Sequence, residues 1–296
     1  MTKPLQSLQV IGVRYLTDRH VPGSGIPLDK YYQADIFSIA DVPVKVAEPK
    51  FPEDQRSEDA VQNLGILGGQ IANEVATARK DGAAVFMTGG NCCHITGVIG
   101  GLQDAHGPGV RIGLVWFDAH GDFNTSQTTL SGMLGGMPVA VVAGLTLPQW
   151  RIGSHIAAPL PTDRIILVDV RNLDPAEEQL IRATDTLIAS IAPGFPGKDL
   201  KPAVDTLAEK VDLIYLHIDS DILDERYTTN HSTREPNGPN MDQVKAAIET
   251  VMATGKVAVY AVVSVSGDGE GAEIMVESGM ELIQAGLETW KKYGMG

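Results

Sequence analysis

Potential metal ligands and proton carriers fall into three short stretches of the chain. The first reads Gly89-Gly90-Asn91-Cys92-Cys93-His94, the second Asp118-Ala119-His120-Gly121-Asp122 and the third Asp219-Ser220-Asp221. Carboxylates, an imidazole and a thiol gathered in one crevice repel or strand one another unless a cation lies between them. A spacing of two residues, running off the end of a strand, aims Asp118, His120 and Asp122 towards one point. Asp219 and Asp221 repeat that spacing. Hard oxygen donors with an imidazole suit Mn²⁺ or a similar first-row dication. Such a set supports hydrolysis, because a bound dication acidifies water and polarises an electron-poor carbon. Any one Asp pair is equally well a cap or surface charge; the three stretches together point to a site.

Each stretch follows an apolar run: 83–88, 112–117 and 213–218. Further runs at 8–15, 164–170 and 257–265 read as strands, with a weaker one at 35–46 that Pro43 interrupts. Residues 58–80 repeat apolar positions at helical spacing (Val61, Leu64, Leu67, Ile71, Val75). Helices are also expected at 138–144, 175–184, 199–210, 240–253 and 271–292. Continuously apolar strands are buried on both faces, and intervening helices imply parallel βαβ units. The expectation is therefore one α/β domain over residues 1–296. In open parallel sheets ligands bind at the carboxyl ends of strands, where the three stretches would lie. The irregular segments 18–34, 121–136 and 224–239 are long for a compact domain and read as functional.

The chain has 296 residues, 43% hydrophobic and 20% charged, which excludes disorder as its dominant state. Twenty-three basic against 37 acidic residues give a net charge of −14, so neither nucleic acid nor an anionic membrane is the expected partner. Cys92 and Cys93 are the only cysteines and are adjacent, which leaves no disulfide framework. No apolar run is long enough to span a bilayer and residues 1–10 lack a secretory pattern, so a cytoplasmic protein is expected. Gly100-Gly101 and Gly135-Gly136 read as close-approach or turn sites, because no Gly-Lys-Ser/Thr follows. His20, His106, His155, His217 and His231 stand alone and read as core or surface residues. His231 differs only in lying within the 224–239 segment.

VWFDAHGDFNT (115–125) resembles the Asp-Ala-His-x-Asp signature of the ureohydrolase superfamily, the arginases, agmatinases and their relatives. HIDSDILD (217–224) resembles its Ser-x-Asp-x-Asp-x-x-Asp signature, with His217 in place of the serine. GGNCCH (89–94) stands where the family has Gly-Gly-Asp-His. The resemblance implies a three-layer α/β/α fold around a mainly parallel sheet. It also implies hydrolysis of a guanidine-type C–N bond by metal-activated hydroxide at two Mn²⁺ ions. The metal ligands it implies are Asp118, His120, Asp122, Asp219 and Asp221, with Cys92 in the place of the sixth, a histidine. A thiolate is soft, so Zn²⁺, Fe²⁺ or Co²⁺ and a single ion are also compatible. His94, two residues off register, is the other candidate for that place. Asp122 is implied as the group that takes the proton and passes it to the leaving amine.

Asn124, Ser131, Asp174 and Thr233 match family positions that hold an α-amino acid, and a small-molecule substrate follows. Three positions depart from the arginase pattern. Gly135 stands for a histidine that shuttles protons, and Met133 for a polar residue. Ser264 stands for a glutamate that meets the guanidinium, with Asp268 and Glu270 displaced nearby. These losses favour a less basic head, as in Nω-hydroxy-L-arginine, over L-arginine. The alternatives are a C–N hydrolase with one tight metal acting on a formimino, amide or ureido substrate, or a non-catalytic homologue acting as sensor or partner subunit. A homo-oligomer, trimeric or hexameric, is implied by the resemblance.

Overall fold

The protein is described from a computed structural model covering residues 3–295. Nine strands make one sheet: β1 (Leu8–Val13), β2 (Val44–Ala47), β3 (Ala84–Gly89), β4 (Ile112–Phe117), β5 (Ile165–Val168), β6 (Leu187–Ser190), β7 (Lys198–Asp199), β8 (Leu213–Asp219) and β9 (Val257–Val263). Their order is β2-β1-β3-β9-β8-β4-β5-β6-β7. Every pairing in this sheet is parallel. The expected three-layer α/β/α architecture is borne out, and the sheet is parallel throughout.

The central strands are buried along their whole length. Their side chains alternate between two cores. On β4, Leu114 and Trp116 pack towards α1 (Ala60–Lys80) and α2 (Ile95–His106). Val115 and Phe117 face the other core, made with α4 (Leu200–Lys210), α5 (Met241–Met252) and α6 (Ala272–Tyr293). Helix α3 (Pro175–Arg182) begins at a capping box of Asp174 and Glu177, so the chain turns sharply just after β5 and Asp174 stays at the carboxyl edge.

The sequence expectations departed from the structure where glycine or proline dominates. Helix α2 was not expected, because Gly97, Gly100 and Gly101 lower its helix propensity. Those glycines let it press against α1: a Cβ on Gly97 would lie 2.5 Å from the Gly68 carbonyl oxygen, and one on Gly101 2.5 Å from Val75 Cβ. Residues 35–46 are not one strand. Asp35 and Asp41, both left-handed, bracket a helical turn at Ile36–Ala40, and β2 starts only after Pro43. Strands β6 and β7 have four and two residues, too short to give a periodic signal.

Four neighbouring strands, β3, β9, β8 and β4, therefore end side by side at one edge of the sheet. The three stretches singled out in the sequence hang from the ends of β3, β4 and β8.

Candidate metal centre and substrate cavity

The exits of these strands are sharply bent. Gly89 and Gly90 are successive left-handed residues, with φ of 77° and 62°. A Cβ on Gly90 would lie 2.4 Å from His94 Nδ1, so only glycine fits the turn that swings Cys92 over the strand end. Asp122, Asp169 and Ser264 are left-handed non-glycine residues at neighbouring exits. Such strain persists only where surrounding structure holds it, and it clusters at functional sites. The Ser264 amide donates to the Gly90 carbonyl (3.1 Å), which ties the β9 exit to the β3 exit.

Cys92, Asp118, Asp122, Asp219 and Asp221 are all buried, and their side chains meet. The Cys92 thiol donates to Asp219 Oδ2 (2.8 Å) and lies 3.6 Å from Asp118 Oδ2. His120 Nδ1 lies 3.3 Å from Asp118 Oδ1 and 3.1 Å from Asp221 Oδ2. Main-chain amides fix the carboxylates: His120 N donates to Asp118, Ala119 N to Asp221 and Asp221 N to Asp219. Potential ligand atoms of Cys92, Asp118 and Asp122 lie within 4.8 Å of one another, as do those of Asp118, His120 and Asp221. All six residues expected from the sequence as ligands thus converge.

His94 does not join them. Its Nε2 lies 2.9 Å from the Thr17 carbonyl oxygen and its Nδ1 accepts from the Asn91 amide, and burial pushes its pKa down to about 4. Cys93 packs with Leu64, Met137, Val141 and Trp150. His217 stacks on Trp116 with ring centroids 3.8 Å apart, and its Nε2 stands 3.5 Å behind the Cys92 sulfur.

Sequence reasoning missed His231, whose imidazole is buried in the cluster. Nε2 lies 3.4 Å from Asp219 Oδ1 and Nδ1 3.7 Å from Asp221 Oδ2. It also missed Glu235, whose Oε1 lies 3.4 Å from His120 Nε2 and accepts from Asn172 (2.6 Å). Neither belongs to a spaced motif. The only signal was their place in a long loop, two residues to either side of Thr233.

The electrostatics call for a cation. Burial, then neighbouring carboxylates, raise Asp118 and Asp122 well above the usual carboxylate range. Burial opposes charge on His120, but Asp118 and Asp221 prevail and push it up to about 12. Burial also opposes charge on Asp221, which His120 and His231 nevertheless hold down at about 2. His231 resists burial in the same way and rises to about 9 beside Asp219 and Asp221. Burial and the three carboxylates Asp219, Asp122 and Asp118 push the Cys92 thiol up. The cavity has six carboxylate residues on its walls (Asp118, Asp122, Asp174, Glu177, Asp219, Asp221) and, among the described residues, no Lys or Arg. Oxygen, imidazole and thiol donors of this number and closeness fit one or two first-row dications.

The substrate residues expected from the sequence line the same cavity, of about 330 Å³. Asn124 Nδ2 donates to Asp174 Oδ2 (3.2 Å), and Asp174 also accepts from the Leu130 amide. Ser131 stands exposed at the rim, where its Oγ accepts from the Met133 amide. Thr233 Oγ1 donates to Asp221 Oδ2 (3.1 Å). The departures are equally plain. Nothing lies within 4 Å of where a Gly135 Cβ would be. The Ser264 hydroxyl turns inward and donates to Asp219 Oδ2 (2.5 Å). Leu16 and Met133, both largely exposed, form an apolar lip.

A parallel α/β sheet that carries a cluster of acidic, imidazole and thiol donors across its central strand ends defines a metal-dependent hydrolase of the ureohydrolase type. The Arginase family profile matches residues 17–287, and the chain belongs to that family. It is thereby placed among hydrolases that act on carbon–nitrogen bonds in linear amidines, a family that uses a binuclear metal site, typically manganese. It is 28% identical over 204 residues to an arginase of Entamoeba histolytica, an alignment covering 67% of each chain. It is likewise 28% identical over 200 residues to an arginase of Bacillus caldovelox, covering 64% of each. These alignments span about two thirds of the relatives' lengths. The crystal structure of the Entamoeba histolytica arginase in complex with L-ornithine superposes with a TM-score of 0.81 at 20% identity, covering 97% of this chain and 99% of that one. No helix among the described residues is long and apolar enough to cross a membrane.

Proposed function

We propose that the protein hydrolyses the amidine C–N bond of Nω-hydroxy-L-arginine in preference to L-arginine, with Cys92, Asp118, His120, Asp122, Asp219 and Asp221 holding one or two dications. Manganese is the reading for the carboxylate-rich side, with Zn²⁺, Fe²⁺ or Co²⁺ compatible with Cys92. The bound metal would supply Lewis acidity and a water acidic enough to react near neutral pH. The protein's own groups do the rest. Asp122, buried in the cluster, accepts the proton from the attacking water and returns it to the leaving nitrogen. Asn124, Ser131 and Asp174 orient the amino-acid end at the rim. Thr233 steadies Asp221. The apolar lip limits water at the mouth.

One observation carries the choice of substrate: beside the donor cluster the cavity offers open space at Gly135 and an inward-turned Ser264 where family resemblance puts a histidine and a glutamate. A guanidinium would enter without a carboxylate partner, and a charged hydrogen bond is worth about 1.5–3 kcal/mol. An N-hydroxyguanidine is less basic, needs that partner less and brings a better leaving group. Steady-state rates on the two substrates test this. kcat/KM for Nω-hydroxy-L-arginine should exceed that for L-arginine by at least about tenfold, the lower end of that energy. Equal or reversed values refute the assignment. Cys92 favours a second reading, one tight metal acting on a formimino, amide or ureido substrate; turnover of such a compound with neither guanidine hydrolysed would establish it. A homo-oligomer is the assembly we expect, and analytical ultracentrifugation reads it directly.

A further inference from the structure

The loop between β8 and α5 does more than cover the cavity. Three alternate residues, His231, Thr233 and Glu235, turn towards the donor cluster. The loop is pinned in that position. The Arg171 guanidinium, which pairs with buried Asp169 (2.7 Å), donates to the carbonyl oxygens of Asp221, Ile222, Leu223 and Glu235. Thr229 Oγ1 donates to the Gly271 carbonyl and the His231 amide to the Thr228 carbonyl. His231 is 8% exposed. Thr233 holds the Nδ1 side of its ring through a backbone N–H (3.2 Å) and a hydroxyl (3.1 Å), which leaves Nε2 aimed at Asp219.

Building on the metal-dependent reading above, we propose that His231 is itself a metal ligand, brought from the loop to Asp219 and to Asp221, the carboxylate that also meets His120. Ligand atoms of Asp219, Asp221 and His231 lie within 4.8 Å of one another. Two ligands on one first-row ion, with bonds of about 2.0–2.2 Å, sit roughly 3.0–3.5 Å apart at ordinary angles. The separation of 3.4 Å between His231 Nε2 and Asp219 Oδ1 has that value, as does 3.1 Å between His120 Nδ1 and Asp221 Oδ2. Ligation through Nε2 would move the ring proton to Nδ1, which would then donate to the Thr233 hydroxyl in place of accepting from the Thr233 amide, while the hydroxyl donates in turn to Asp221 Oδ2. Outer hydrogen bonds of this kind fix a ligating histidine's tautomer and orientation. Glu235 stands in the same relation to His120 Nε2.

Two consequences follow. The imidazole that Cys92 removes from the β3 exit is regained from the opposite wall, so the number of nitrogen donors is kept while their placement shifts. Loading of the metal then reinforces the docking of the loop that Arg171 and Thr229 begin, because the loop carries a ligand.

The test uses the full-length protein, stripped by chelator and titrated with Mn²⁺ by calorimetry, with bound metal counted by elemental mass spectrometry. His231→Ala should weaken one class of sites by more than about tenfold, the minimum effect of losing even an outer partner of a ligand. Free imidazole should restore much of that loss. Metal should protect residues 224–239 of the wild type from proteolysis and fail to protect them in His231→Ala. His231→Asn, which keeps a polar side chain in the pocket, guards against misfolding, with circular dichroism of the stripped proteins as the check. Unchanged Mn²⁺ affinity and unchanged protection in both variants would make His231 an ion-pair partner only, and would leave the metal-dependent reading standing. A wild type that takes up no metal would overturn both.

Discussion

The donor cluster has two halves, and they are built differently. The Cys92 half, with Asp118 and Asp122, hangs entirely from strand exits and is closed off behind by Trp116 and His217. The half around Asp221 and His120 faces the loop that carries His231, Thr233 and Glu235. One half has a sulfur in place of an imidazole and is carried by strand exits. The other has an additional imidazole and depends on a segment with little regular structure. Affinity at a metal site follows donor type, but retention also follows how firmly the donors are held. The sulfur half should therefore be the selective one, and the loop half the one that answers to its surroundings.

The largest expected effect is the loss of Asp219, which like Asp118 is common to both halves. Asp219 meets Cys92 and Ser264 on one side and His231 on the other. Asp219→Ala should leave less than one equivalent of metal and cut turnover by more than about 10²-fold, beyond the loss of an outer partner. Full metal content by elemental analysis would dissolve the comparison.

Cys92→Ala should act on one half only. One equivalent should be lost and the other kept, and the Co²⁺-loaded protein should lose its thiolate-to-cobalt charge-transfer absorption. Retention of that band would show that the sulfur is not a donor.

Gly135→His comes next, because the space for it is open. It should raise the rate on L-arginine relative to Nω-hydroxy-L-arginine by about tenfold, less than the full 10²–10⁴ of general acid catalysis because Ser264 remains. No change in the ratio would separate Gly135 from substrate choice.

Gly101→Ala, at the contact of α1 and α2, serves as the remote control. It should cost about 1–3 kcal/mol of stability in urea, through overpacking against Val75, and leave both halves loaded. A change in metal content would mean that the helix layer reaches the site.

The same contrast explains what could be read from sequence. The strand-exit residues were legible because a parallel sheet forces its functional groups to follow apolar runs. Asp118 to Asp122 and Asp219 to Asp221 announce themselves by that position and by regular spacing. His231 and Glu235 carry no such mark: a loop residue reaches a site through its backbone path, and that path is set by Arg171, which lies 50 to 64 residues from the four carbonyl groups it holds. Helix α2 was hidden for another reason. Its glycines serve contact with α1 rather than helix formation, and propensity registers only the second. The short β6 and β7 take their strand character from their neighbours, and Asp35 and Asp41 broke a segment whose composition suggested a strand.

The strand order has a consequence for how the protein comes into being. β9 is the last strand to be synthesised, yet it lies between β3 and β8, pairing Val85 with Val259 and Ile218 with Val262. Until it inserts, the Cys92 exit and the Asp219 exit have no common support. A nascent chain stalled before residue 257 would hold all the motif residues, yet could bring together only those of the directly paired β4 and β8 exits and not Cys92. Closing a loop of that length is slow, so these two central strand edges stay open to wrong partners while translation finishes. The Cys92 half is thereby completed only after β9 has emerged, and a ribosome-arrest series loaded with a fluorescent divalent-ion reporter would see its capture arrive later than that of the half around Asp221.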